Sequence, residues 1–249
     1  MVEVYRAEGR TIRAAFLAAC YTFTVTTDVE TTLHRRAPQR RFDNAAAWWH
    51  SLGDVPLDRV VFDPLPGTAT EADLLRFVER DKRLCELING TLVEKPVGYF
   101  ESRIVANLIM ILGPHVLQHD LGGLSGADST LRMASTNHVR LPDVAFIAKS
   151  RLPKTWIAVP TLAPDLAVEV LSEGNTKAEM DQKLQEYFDS GTRLAWLIDP
   201  RERTVSVYHS AAAPPNVLRE SDMLAGEDVV PGFAIAVASL FHALPPLER

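Results

Sequence analysis

Hydrophobic residues recur along this chain with a changing period, and each change marks an element. From Asp165 to Ser172 the run Asp-Leu-Ala-Val-Glu-Val-Leu-Ser is short, apolar and rich in valine, as buried strands are. Thr176 then opens a helix, and Glu179 three residues later completes a capping box. Met180, Leu184, Tyr187 and Phe188 share one side of that helix, and Gly191 stops it. Leu194 to Ile198 is a second apolar strand, ended by Asp199-Pro200. The pattern predicts strand, helix, strand, with the carboxylate of Glu169 in the middle of the first strand. A buried charge there costs several kcal/mol, on the order of 3–5, unless something pairs with it. Lys183 lies on the helix, about 80° from the centre of its apolar stripe at roughly 100° per residue.

Upstream, Thr68 or Thr70 caps a helix over 71–79 with Leu74, Leu75 and Val78 as its apolar side. A hairpin follows: Leu84 to Ile88, the turn Asn89-Gly90, then Thr91 to Glu94. Residues 101–119 carry Ile104, Val105, Leu108, Ile109, Ile111 and Leu112, a mostly apolar helix predicted to pack across a sheet. Strands are predicted around 124–133 and 139–148, where Pro142 implies an edge or a bulge beside Asp143. Another strand covers 204–208, and short strands and a helix over 239–243 finish the chain. This order gives an α/β fold around a mixed sheet flanked by helices. It is not a dinucleotide-binding fold, because no Gly-x-Gly-x-x-Gly follows a strand.

Residues 1–55 lack sustained periodicity and read as a loosely ordered N-terminal extension to a domain over 56–249. Their arginine pairs, 35–36 and 40–41, are nearly cancelled by acidic neighbours. Leu17 to Cys20 resembles a lipoprotein box, but the apolar stretch before it is too short for a signal core. No run approaches a membrane span, so a cytoplasmic protein without membrane contact is expected. The net charge of −6 argues against coating nucleic acid by charge alone. It leaves room for a nuclease whose site is acidic until a cation arrives. Cys20 and Cys85 suggest neither a disulfide framework nor a metal cluster.

Asp143 and Glu169 each sit inside an apolar strand. Read singly, Asp143 is a turn acid after Pro142 as readily as a ligand, and Glu169 could pair with a buried arginine such as Arg140. Read together with Lys183 they suggest a site. Two acidic oxygens on adjacent strands can hold Mg²⁺, with the Val170 carbonyl as a third oxygen. The lysine would then steady an attacking water or the developing charge. His115, His119, His138 and His209 show no metal-ligand spacing.

Several motifs together resemble the Uma-two family, a large bacterial group assigned as endonucleases with the restriction-endonuclease-like, PD-(D/E)XK-type fold. They are Leu141-Pro-Asp143-Val, Pro164-Asp-Leu-Ala-Val-Glu169-Val-Leu-Ser172, Glu179-x-x-x-Lys183-Leu-x-x-Tyr187, Gly191, Trp196 and Asp199-Pro200. Cys85 to Gly90 and Pro231-Gly-Phe233 extend the likeness over roughly 65–245. The resemblance implies that Asp143 and Glu169 bind the metal. The superfamily's lysine usually stands two residues after the second acid, where this chain has Leu171; the role then passes to Lys183. Glu101, where relatives often carry histidine, is implied as an outer ligand or else a helix N-terminal acid. Glu86 leads the hairpin as an exposed strand glutamate or an accessory residue. Ser172 caps a turn or touches a phosphate.

The expected function is a Mg²⁺-dependent DNA endonuclease, with Mn²⁺ as substitute, acting as a homodimer if it cuts both strands. The alternative is a nucleic-acid-binding or regulatory module that keeps the fold without the chemistry. A glycosidase fits less well, since no aromatic sugar platform accompanies the acids.

Overall fold

The computed structural model describes residues 42–245. Helices α1 (Ala45–His50) and α2 (Glu71–Asp81) precede a hairpin of β1 (Cys85–Ile88) and β2 (Thr91–Glu94). Helix α3 (Tyr99–Gln118) leads to β3 (Gly122–Ser125), β4 (Leu131–Arg132), β5 (Val139–Arg140) and β6 (Val144–Ala148). Then come β7 (Leu166–Val170), α4 (Lys177–Asp189), β8 (Leu194–Asp199) and β9 (Thr204–Tyr208). The last strands are β10 (Asn216–Arg219), β11 (Met223–Ala225) and β12 (Ala234–Ala236).

The strands form a four-stranded sheet, β2-β1-β5-β4, a six-stranded sheet, β10-β9-β8-β7-β6-β3, and the pair β11-β12. In the six-stranded sheet only β7 and β8 are parallel, and α4 supplies the crossover that a parallel pair requires. The hairpin turn behaves as its sequence predicts. Asn89 and Gly90 both have positive φ, 50° and 71°, as a two-residue turn matched to strand twist requires.

The stretch predicted as one strand, 139–148, is two. Val139 pairs with Leu87 in the smaller sheet, whereas Val144 pairs with Val168 in the larger. Leu141, Pro142 and Asp143 cross between them. Pro142 has no N–H to give to a ladder, so it marks the change of sheet and not an edge or a bulge.

The six-stranded sheet has two unlike faces. Val144, Phe146, Leu166, Val168, Val170, Trp196 and Ile198 pack against Ile104, Leu108, Leu112 and Val116, which α3 presents at every fourth residue. By length and composition α3 is also apolar enough to cross a membrane, with a mean hydropathy of 1.2 over an 18-residue stretch of its 20 residues. That differs from the expectation that no such run exists, although its buried stripe here rests on the sheet. On the opposite face, Ala145, Ala167 and Ala195 meet Leu184 and Tyr187 of α4. Three small residues let α4 lie close.

Helix α1 corrects the boundary set at residue 55. Asn44 caps it, and Leu52 and Val55 are fully buried with Ile88 and Val93. The folded domain therefore includes 42–55, while the rest of the expected extension lies outside the described residues.

Candidate active site

The face under α4 gathers the polar groups. Glu169 alternates with Val168 and Val170, so it points to the same side as Ala167. Thr176 accepts a hydrogen bond from the Glu179 amide at 3.0 Å and fixes the start of α4. Lys183 and Tyr187, one turn apart, then both reach Glu169. The Tyr187 hydroxyl donates to Glu169 Oε1 at 2.5 Å, and Lys183 Nζ donates to Oε2 at 3.3 Å. The same ammonium lies 3.0 Å from Glu86 Oε1. Lys183 is 2% exposed, so it is a buried group and not a solvated helix lysine.

Asp143 stands at the end of the crossing between sheets. Val144 pairs with Val168, so one further step of the antiparallel register sets Asp143 opposite Glu169. Asp143 Oδ2 accepts from the Val170 amide at 2.7 Å, which pins the side chain to β7. Its Oδ1 is 2.8 Å from Lys95 Nζ. Lys95, the residue after β2, also donates to the Leu141 carbonyl at 2.5 Å. Asp143 and Glu169 are both buried, at 9% and 6% exposure.

Behind them lies a second group of charges. Arg140 is fully buried and donates to Glu86 Oε2 at 2.8 Å and to both oxygens of Glu186 at 2.7 and 2.9 Å. His138 bridges Glu186 and Asn89, and Gln182 donates to Glu186. Arg59 holds Glu179 through both of its oxygens. Arg140 does not pair with Glu169, so the structural alternative for that acid does not apply. Glu86, read above as an exposed strand glutamate or an accessory residue, is 2% exposed, which sets aside the first of these, and joins the two groups. The Leu141 amide donates to its Oε1 at 3.1 Å.

Burial and charge pull these groups in different directions. Burial pushes the Glu86 carboxyl up, but Lys183 and Arg140 outweigh it and hold the group at about 2. Burial likewise raises Glu186, and Arg140, with His138, carries it well below the carboxylate range. At Glu169 burial prevails: its pKa is raised despite Lys183, and the negative charge of Asp143 adds to the rise. Burial lowers Lys183, but Glu169 and Glu86 overcome it and the ammonium stays firmly charged.

Asp143, Glu169, Lys183 and Glu86 thus come together. Ser172 and Glu101 do not join them. The Ser172 hydroxyl donates to Asn175 Oδ1 at 3.0 Å and caps the turn before α4. With Glu101 it lines a cavity of about 410 Å³ between Pro96–Glu101, Leu171–Gly174 and Arg201. Sequence reasoning missed Lys95 and Glu186 as members of the network, offered Arg140 as a buried partner of Glu169 and not of Glu86 and Glu186, and treated Tyr187 as apolar. The i, i+4 spacing of Lys183 and Tyr187 was the available signal. Lys95 had none, since its contact with Asp143 depends on the crossing between sheets.

The residues fit a hard divalent cation by donor type. Two carboxylates lie close together, and the charge of Asp143 adds to the cost of ionising Glu169, which a cation would relieve. They fit only with company, because among the described residues no group of three His, Cys, Asp or Glu side chains forms a ready cage. A third ligand would have to come from the backbone or water.

A mixed sheet clasped between helices, with paired acids at adjacent strands, is the architecture of restriction-endonuclease-like nucleases. The chain belongs to the Uma2 family, described as "Putative restriction endonuclease", whose family model matches residues 71–238, about two thirds of its length. A crystal structure from Anabaena variabilis, titled a "putative nuclease belonging to DUF820", superposes with a TM-score of 0.59 at 21% identity. The match covers 64% of this chain and 90% of that one, and shows that the fold is shared. No curated protein matches the chain.

Proposed function

We propose that this protein is a divalent-metal-dependent endodeoxyribonuclease, hydrolysing a phosphodiester bond in one step without a covalent enzyme intermediate. The observation that carries this reading is the nearness of the two acids, Asp143 being pinned to the Val170 amide next to Glu169, with a buried ammonium group against each. Asp143 and Glu169, helped by the Val170 carbonyl, would hold Mg²⁺ or Mn²⁺. Bound there, the ion would supply Lewis acidity to a phosphate oxygen and a more acidic water. Tyr187 and Lys183 fix the Glu169 carboxylate from two sides, so its oxygens are oriented before substrate arrives. Lys183 adds a permanent positive charge against the negative charge that develops at phosphorus. Glu101 and Ser172, on the neighbouring cavity, would meet the DNA strand and not the reacting atoms. Cutting both strands of a duplex would call for a two-fold dimer.

The test is incubation of the protein with plasmid and single-stranded DNA, with Mg²⁺, Mn²⁺ or EDTA, beside Asp143→Asn and Glu169→Gln. Cleavage that needs the cation and vanishes in both variants is expected. Cleavage that survives EDTA, or that persists in both variants, would refute the mechanism. One observation favours a second reading: every oxygen of Asp143 and Glu169 already has a protein partner. A module that binds DNA with every cation tried, yet never cuts it, would be the result in that case.

A further inference from the structure

Lys95 plays no part in the reaction described above, yet it touches the acid that matters most there. Its side chain is 5% exposed, and its ammonium faces three oxygens: Asp143 Oδ1 at 2.8 Å, the Leu141 carbonyl at 2.5 Å and the Ala127 carbonyl at 3.4 Å. Only one of these is charged. A ring of hard oxygens with one carboxylate is what a small cation would choose for itself.

Lys183 differs in the respect that counts. Its ammonium is shared by Glu86 and Glu169 at 3.0 and 3.3 Å, so two opposite charges hold it in place. Lys95 has one such partner in direct contact, with Glu169 and Glu86 acting on it from farther off, and the other oxygen of that partner is engaged by the Val170 amide. Asp143 Oδ1 is therefore the oxygen a divalent ion would seek, and the ammonium is already on it. Mg²⁺ takes oxygen at about 2.1 Å, so an ion on Oδ1 would lie at most about 4.9 Å from Nζ. Two cations that close in a buried place repel strongly.

We propose that Lys95 is the built-in counter-ion of the metal position, holding Asp143 when no divalent ion is bound and yielding when one is. The proposal rests on the metal-dependent reading. It makes cation loading and release of the lysine a single event, so the ion competes with an internal ammonium for each molecule it occupies. The route for the released side chain is short, because Pro96, the next residue, lines the open cavity beside the site. The four-carbon stem of lysine is flexible enough to follow it.

The experiment is a Mn²⁺ titration by calorimetry on the full chain, comparing the wild type with Lys95→Met and Asp143→Asn. Lys95→Met should bind Mn²⁺ at least about tenfold more tightly than the wild type, and Asp143→Asn should lose binding. Equal or weaker affinity in a Lys95→Met protein with a normal melting transition would overturn the proposal. A second readout needs no variant. Reductive methylation of the wild type, read by mass spectrometry, should spare Lys95 without a cation and modify it at saturating Mn²⁺. Protection of Lys95 in both conditions would overturn the proposal even if Lys95→Met fails to fold. Absence of Mn²⁺ uptake by wild type and Lys95→Met alike would remove the metal-dependent reading and this proposal with it. Uptake by both with equal affinity would remove this proposal alone.

Discussion

Along β7, successive residues answer to different partners. Leu166, Val168 and Val170 meet α3, whereas Ala167 and Glu169 meet α4. The α3 side is filled by large aliphatic and aromatic groups, each contributing about 2 kcal/mol through burial. The α4 side gives up that area. It has alanines where the other face has valine and tryptophan, and a charged network in place of further apolar contact. Such networks seldom add net stability over well-packed apolar groups, though losing one member is costly. The difference teaches that one face of the sheet keeps the domain folded while the other gathers the buried charges on which the proposed chemistry rests.

The sharpest way to break this comparison is to damage each face separately. On the α4 side, Asp143→Asn or Glu169→Gln should lower nuclease activity on the order of a thousandfold. Because burial of the Glu169 charge opposes its ionisation, Glu169→Gln removes that cost together with the ion pair and should melt near the wild-type temperature. On the α3 side, Leu108→Ala should cost about 2–5 kcal/mol in urea unfolding. Its folded fraction should cut DNA at the wild-type rate. If Leu108→Ala abolished cleavage in fully folded protein, the division between faces would be wrong.

Next in size is Arg140→Met. Arg140 is the only cation facing both Glu86 and Glu186 among the described salt bridges, so its loss leaves Glu86 with Lys183 and Glu186 with His138 as their remaining partners in a buried place. A loss of about 3–5 kcal/mol in denaturant midpoint analysis is expected. A change within about 1 kcal/mol would mean that water enters the network and that it is not a closed unit.

Acid should divide the network in a way that sharpens the contrast. Glu86 is held at about 2, below its ordinary value. Its contribution is therefore complete above the ordinary carboxylate range and is lost as pH falls from there towards about 2. Glu186, also depressed, works in the same direction. Glu169 works in the opposite one: its pKa is raised, so its ionisation opposes folding as pH rises through that value. Urea midpoints for the wild type should thus fall steeply below about pH 4.5. Glu86→Gln should start lower at neutral pH and fall less steeply in acid. Parallel curves for the two proteins would show that Glu86 carries no such linkage.

How much of this was legible follows from what determines each contact. The Asn89-Gly90 hairpin, the Thr176 cap and the α3 stripe depend on neighbours within a few residues, and the sequence displays them. Asp143, Glu169 and Lys183 stood out because charge inside an apolar pattern is conspicuous. The burial of Glu86 was hidden, since a single glutamate on a four-residue strand looks the same whether it faces water or Arg140. The split of 139–148 was half visible: Pro142 announced a break but not that the two parts belong to different sheets. Lys95 was out of reach, because its partner lies 48 positions away and the contact exists only once β5 and β6 have parted.

The smallest effect concerns Tyr187, which belongs to both faces of the argument: its ring packs among the alanines and its hydroxyl meets Glu169. Tyr187→Phe keeps the ring and removes one hydrogen bond. Burial together with Glu169 raises the hydroxyl pKa well above its usual value, so it remains a donor at every pH where the protein folds. Lys183 still holds Oε2 in the variant, so Glu169 keeps one of its two anchors. The expected cost is about 1 kcal/mol in stability, with a fall in cleavage rate of about tenfold and little change in DNA affinity. Loss of DNA binding, with the rate on bound substrate unchanged, would place Tyr187 in substrate recognition instead. Should both quantities stay at wild-type values, the hydroxyl would have no part in orienting Glu169, and Lys183 alone would carry that task.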